Sequence, residues 1–161
     1  MMSTTTQVPV TPAAVADTLD LYVVFTANGS EYALPADTVL QMESFEGATP
    51  VPLVPSFVVG VVQIRGRVLP VVDLRVRFGG APGELVLDNR VVVGHLGERV
   101  VGLLVDSARE VVKIARSQLK PPPPIVASSG FVRAVAQLGP RLIMLLEFAK
   151  VIGEEHLDGV V

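Results

Sequence analysis

From Leu19 to Phe148 the apolar residues of this chain come in short, valine-rich runs, and almost every run is stopped by a turn containing glycine. Runs this short and this rich in β-branched side chains favour strands over helices, so the spacing points to many short strands joined by hairpins. Asn28-Gly29, a dipeptide that tolerates positive φ angles, joins LYVVFTA to SEYALP. Arg65-Gly66-Arg67 separates VVGVVQI from RVLPVVDL, a turn around Gly97 separates RVVVGHL from ERVVGLLVD, and Gly139-Pro140 separates GFVRAVAQL from RLIMLLEF. SAREVVKI adds a further strand, which makes the expected fold all-β with about ten strands. ADTVLQMESF reads as a short helical turn feeding a strand, with Val39 and Leu40 packing inward. Pro70 suggests that its strand lies at an edge or carries a bulge. FAKVIGEEHLDGVV reads as a short C-terminal helix weakened by Gly153.

The second half repeats the plan of the first. Leu34-Pro35-Ala36-Asp37 resembles Leu103-Leu104-Val105-Asp106, and the run ending Asp73-Leu74 resembles the run ending Glu147-Phe148. A period of about 70 residues is too long for a solenoid and suits two copies of a small β unit. The expected architecture is therefore two packed five-stranded barrels of the SH3-like or OB-like kind, spanning roughly 18–88 and 89–157 within one domain, with exchange of strands between them left open. Met1 to Asp17, rich in Thr, Ala and Pro, is expected to be a flexible tail. The four prolines at 121–124 favour a polyproline II path and read as a rigid surface connection.

Few kinds of chemistry survive inspection of the side chains. A formal net charge of −3 excludes a chain-wide basic field for nucleic acid or anionic lipid. No apolar run approaches the ~18 residues of a membrane-spanning helix, so no membrane insertion is expected. The chain has no cysteine, and the start lacks the pattern of a signal peptide, so a cytoplasmic location is expected. His95 and His156 have no second imidazole at metal-ligand spacing. Ser107, Ser128 and Ser129 are outside any nucleophile elbow, and the glycines form no phosphate-binding loop. Asp37, Asp73 and Asp106 each follow an apolar run and read as strand ends or caps. No catalytic residue, cofactor or metal is expected.

GVVQIRGRVLPVVDLRVRFG, followed by VVGLLVDSAREVVKI and GFVRAVAQLGPRLIMLLEFAKVI, closely resembles the CheW family of bacterial chemotaxis coupling proteins, from about Leu19 to Leu157. The signature comprises Arg65-Gly66, then Leu69-Pro70-Val71-Val72-Asp73-Leu74-Arg75, and Phe78-Gly79. The resemblance implies a non-catalytic adaptor, recruited to receptor arrays, that joins the cytoplasmic tip of methyl-accepting chemoreceptors to the regulatory domain of a CheA-type histidine kinase. Alternatives are a scaffold of a non-flagellar chemosensory pathway and an OB-like barrel binding single-stranded nucleic acid; for the latter both aromatic residues and positive charge are scarce.

Arg65 matches a family arginine implicated in partner binding, and a guanidinium on a hairpin tip can make forked hydrogen bonds to a carboxylate. Arg67, Arg75 and Arg77 read instead as solvated charges covering the fold with their aliphatic stems. Val39, Val101, Gly102 and Val112 are candidate apolar contacts on the same resemblance. Gln41 stands where many family members carry glutamate, which implies loss of a charged contact there.

Overall fold

The computed structural model describes residues 17–153. The expected flexible tail, apart from Asp17, lies outside the described residues, as does His156. Eleven strands are present among the described residues: β1 (Leu19–Ala27), β2 (Ser30–Pro35), β3 (Val39–Ser44), β4 (Val58–Ile64), β5 (Arg67–Asp73), β6 (Arg90–Leu96), β7 (Arg99–Val105), β8 (Ser107–Ala115), β9 (Leu119–Lys120), β10 (Val132–Leu138) and β11 (Arg141–Leu146). Three short α-helices among the described residues follow β5, the proline run and β11: α1 (Leu74–Arg77), α2 (Pro124–Ala127) and α3 (Phe148–Ile152). The strand beyond the expected ten is β9, two residues paired with β10.

The strands form two sheets, ordered β8-β1-β2-β11-β10-β9 and β3-β6-β7-β5-β4. Replacing β8, β1, β2, β11 and β10 by β3, β6, β7, β5 and β4 turns the first order into the second, so the repeat is structural. Each sheet is built from both halves of the chain. The hairpin β1–β2 sits between β8 and β11, and the hairpin β6–β7 sits between β3 and β5. Strands of different halves meet at the antiparallel pairs β1–β8 and β3–β6 and at the parallel pairs β2–β11 and β5–β7.

Strand alternation then sorts the side chains into three layers. Phe25, Leu34, Val72, Val92, Leu103 and Leu146 fill the space between the sheets. Tyr22, Val24, Ile114, Ile143 and Leu145 pack on the far face of the first sheet, and Leu69, Val71, Val91, Val93 and Leu104 on the far face of the second. Because both faces of each sheet are covered, central strands such as β6 and β7 are nearly continuous in valine and leucine rather than alternating with polar residues.

Each sheet also curls back on itself. In the first, β8 turns through a 3-10 segment at Arg116–Gln118 directly into β9, so the chain that pairs with β1 goes on to pair with β10. In the second, the chain beyond β3 reaches Thr49, which bridges Val61 of β4. Gly60 permits that approach: its φ is +148°, and a Cβ there would lie 2.1 Å from the Thr49 carbonyl oxygen. A single bridge closes this seam, and it leaves a slot farther along.

Four local expectations change. Pro70 lies in an interior strand, but the ladder to β7 begins only at Val71, so the missing N–H falls where β5 has β4 alone as a neighbour. The 3-10 turn Ala36–Thr38 does feed β3, and Val39 packs inward; Leu40 is 51% exposed, because a bulge between Val39 and Gln41 displaces it from the ladder. Arg75 is buried rather than solvated, held by Asp73 and Asp106. Arg77 is not a loose surface charge either. Its guanidinium lies 4.3 Å from the Phe57 ring centre and 4.7 Å from that of Phe131, and it donates to the carbonyls of Val151 (2.7 Å) and Lys150 (2.9 Å) at the end of α3. Phe57 and Phe131 are counterparts in the repeat: their carbonyls accept the amides of Asp73 and Glu147, which precede α1 and α3.

Candidate functional site

The β4–β5 hairpin turns through Arg65 and Gly66, with φ of +51° and +79°. Two positive φ angles are the demand of a tight two-residue hairpin, and Arg65 meets it without being glycine. Its side chain is 74% exposed and reaches across the seam to β3, where Nε donates to Glu43 Oε2 at 3.3 Å. The same oxygen accepts Gln41 Nε2 at 2.8 Å. Alternation along β3 puts Gln41 and Glu43 on one face, so the carboxylate expected to be missing at 41 is present two residues on. Glu43 was not singled out by the sequence reading; its strand spacing from Gln41 was the available signal. Nε carries the contact with Glu43, and the terminal nitrogens of this exposed guanidinium suit an incoming carboxylate.

Beside this triad lies the slot left by the open seam, about 350 Å³, with Leu69, Val93 and Val100 inside and Leu40, Arg65 and Arg67 around it. The other candidates are placed differently. Val39 is half-buried against the central core and faces Gly94 of β6. Val101 faces Gly94 from β7 and is fully buried. Gly102 lies inside the second sheet, where an added Cβ would meet Val91 Cγ1 at 2.5 Å and Leu69 Cδ1 at 3.3 Å. Gly102 therefore packs behind the slot through Leu69, Val101 belongs to the core between the sheets, and neither offers surface to a partner. Val112 belongs to the other sheet, where it faces Tyr22 from β8. Gly102→Ala is expected to destabilise the fold by about 1–3 kcal/mol through overpacking, read as a lower urea midpoint at unchanged slope. An unchanged midpoint would mean that the Val91 and Leu69 side chains move aside freely.

A second surface opens between the sheets. Tyr32, Phe78 and Phe131 stand in a row, with ring centres 5.0 and 5.1 Å apart, and with Val126, Val132 and Met144 they line a cleft of about 230 Å³. Ile125, 84% exposed on α2, forms its lip. The proline run places this helix: Pro123 has the extended φ/ψ of polyproline II and Pro124 opens α2, where a missing N–H costs nothing. Burial raises the Tyr32 phenol above its ordinary pKa, so its hydroxyl stays neutral.

Among the described residues no group of three metal-capable side chains comes together. The His95 nitrogens lie 2.9 Å from the Asp37 carbonyl oxygen and 3.2 Å from that of Gly97, which fastens a hairpin to the 3-10 turn. Asp73 caps α1 by accepting the Arg75 amide, and its side chain is paired with the Arg75 guanidinium. The arrangement presents two apolar openings with unlike rims, one at the seam and one between the sheets.

Known proteins share this sequence pattern and this fold. Residues 21–156 match the family model of the CheW-like domain. The chain is 31% identical to the chemotaxis protein CheW of Rhizobium meliloti (strain 1021) over 138 residues, covering 84% of this chain and 89% of that protein. It is 29% identical to the chemotaxis protein CheW of Bacillus subtilis (strain 168), covering 86% and 90%. The crystal structure of the scaffolding protein TtCheW from Thermoanaerobacter tengcongensis superimposes with a TM-score of 0.75 at 28% identity, covering 81% of this chain and 90% of that one. With the exchanged double sheet, the Arg65 hairpin and the family match in agreement over the same residues, this chain belongs to the CheW-like domain family.

Proposed function

We propose that the protein is a non-catalytic adaptor that couples chemoreceptors to a CheA-type histidine kinase in a chemosensory signalling complex. The observation that carries this reading is the pair of unlike docking surfaces: a guanidinium held over an apolar slot at one seam, and an aromatic-floored cleft between the sheets. The cleft has the apolar anchors and open lip that suit the face of a helical receptor tip, and the slot suits a kinase regulatory domain that brings a carboxylate beside an apolar side chain. In this reading the protein is recruited to receptor arrays by its partners; no helix among the described residues is long and apolar enough to cross a membrane. Binding of single-stranded nucleic acid finds no support, since all six Phe and both Tyr are buried or half-buried and none forms an exposed stacking platform.

The test is reconstitution of kinase, receptor and this protein on membranes, with autophosphorylation as the readout. The rate is expected to rise only when all three are present and to respond to receptor ligand. Nucleotide turnover by the purified chain, or a kinase rate indifferent to its addition, would overturn the reading.

A further inference from the structure

An apolar cleft in water gains by closing on itself, so the one between the sheets needs a support that keeps it open. Phe131 is the wall on which this turns. Its backbone is pinned on both sides: its amide donates to Ser129 Oγ at 3.1 Å, and its carbonyl accepts the Glu147 amide at 2.7 Å. What remains free is rotation about the side-chain bonds. The ring is half-buried at one end of the aromatic row, with its centre 5.1 Å from that of Phe78. Swung inward, it would fill much of an opening of about 230 Å³.

Arg77 touches that ring from outside the lining of the cleft, with its guanidinium carbon 4.7 Å from the ring centre. The guanidinium is itself immobilised. Nε and Nη2 donate to the Val151 and Lys150 carbonyls at the end of α3, where helix carbonyls lack intrahelical partners, and Phe57 from the β3–β4 connection packs on it at 4.3 Å. A lysine ammonium could not do the same, because it has no plane to lie between two rings and no fixed fork for two carbonyls. The residue after Arg77 is Phe78, the middle ring of the row, so consecutive residues set two of its three rings. We propose that Arg77 is a positioning residue for the cleft: it holds the Phe131 ring at the wall and keeps the opening ready for the face of a receptor helix. The identity of that occupant rests on the adaptor reading above. Without Arg77 the ring turns inward, and a partner must first reopen the cleft, which appears as weaker binding through the same contacts.

Three variants of the full chain test this. Arg77→Leu removes the stack and both donated bonds, Arg77→Lys keeps the charge without the plane, and Phe57→Leu loosens the guanidinium from outside the cleft. Two properties are read below the melting temperature of each variant: the ring resonances of Phe131 by NMR, and calorimetric titration with a helical-hairpin fragment of a receptor tip and, separately, with the kinase regulatory domain. In Arg77→Leu the Phe131 resonances are expected to leave their wild-type positions, and affinity for the receptor tip to fall about tenfold or more, with smaller losses in the other two. Kinase affinity is expected to stay within about twofold, as for a change that spares the slot. Should Arg77→Leu not fold, the two milder variants carry the same comparison. Unmoved Phe131 resonances, or moved resonances with full affinity for the receptor tip, would overturn the proposal. Equal losses for both partners would do so too, since a general weakening of the fold predicts them. If the wild-type chain binds no receptor tip, the adaptor reading fails instead, and the ring resonances alone decide whether Arg77 positions the cleft.

Discussion

Replacing Arg75 by alanine is expected to lower folding stability by about 3–5 kcal/mol, the range for leaving a buried charge without its partner. Arg75 Nε and Nη2 grip both oxygens of Asp73 at 3.0 and 3.1 Å, and Nη1 reaches Asp106 Oδ1 at 3.2 Å. The side chains of Arg75 and Asp73 are each only 6% exposed, so water cannot replace a lost partner. Hydrogen bonding to the Asp73 carboxylate outweighs burial and holds the guanidinium above its ordinary pKa, so the group stays charged. The network also joins pieces distant in sequence. Asp106 Oδ2 accepts the Asn28 amide at 2.8 Å, Asn28 Nδ2 donates to the Arg75 carbonyl at 3.4 Å, and Gly83 packs so tightly on the guanidinium that a Cβ would meet Nη1 at 2.4 Å. Urea melts of Arg75→Ala, Asp73→Ala and the double variant measure the effect, and the double is expected to cost well under the sum of the singles. A single-variant loss below about 1 kcal/mol would show that the pair is solvated in solution.

Arg65→Gly is expected to separate binding from folding. Affinity for the kinase regulatory domain should fall by about 1–3 kcal/mol, as when a charge-assisted hydrogen bond is removed from an interface. Stability should change by less than about 1 kcal/mol, because two small effects oppose one another. The exposed pair with Glu43 contributes at most about 1 kcal/mol, and glycine relieves the strain of a non-glycine residue at φ +51°. Isothermal titration against the kinase domain and, separately, a receptor-tip fragment gives the binding side, with a urea melt for the fold. Arg133→Ala, an exposed arginine on the other sheet, serves as the control and should alter neither. Unchanged affinity for both partners would remove Arg65 from the site, and a stability loss above about 2 kcal/mol would make it a clamp of its own turn.

The arginines of the signature show where reading the chain stops. Arg65, Arg75 and Arg77 look alike in sequence, each set among valines and leucines, yet one is exposed on a turn, one is buried between two carboxylates and one is stacked between two phenylalanines. Their partners Glu43, Asp106 and Phe131 come from segments distant in sequence, and no local pattern connects them. Glycine turns and β-branched runs made the hairpins legible, because those preferences act between neighbours along the chain. The weak repeat likewise anticipated two similar β units. The seating of the β1–β2 and β6–β7 hairpins in the opposite halves was settled by long-range pairing, since only that exchange covers both faces of strands apolar on each side. The sequence by itself determined the strands, the turns and the family signature, all products of local conformational preference. The tertiary structure decided which valines are core, where the carboxylate beside Arg65 comes from and which surfaces remain open, because each depends on residues that meet only when the two sheets close.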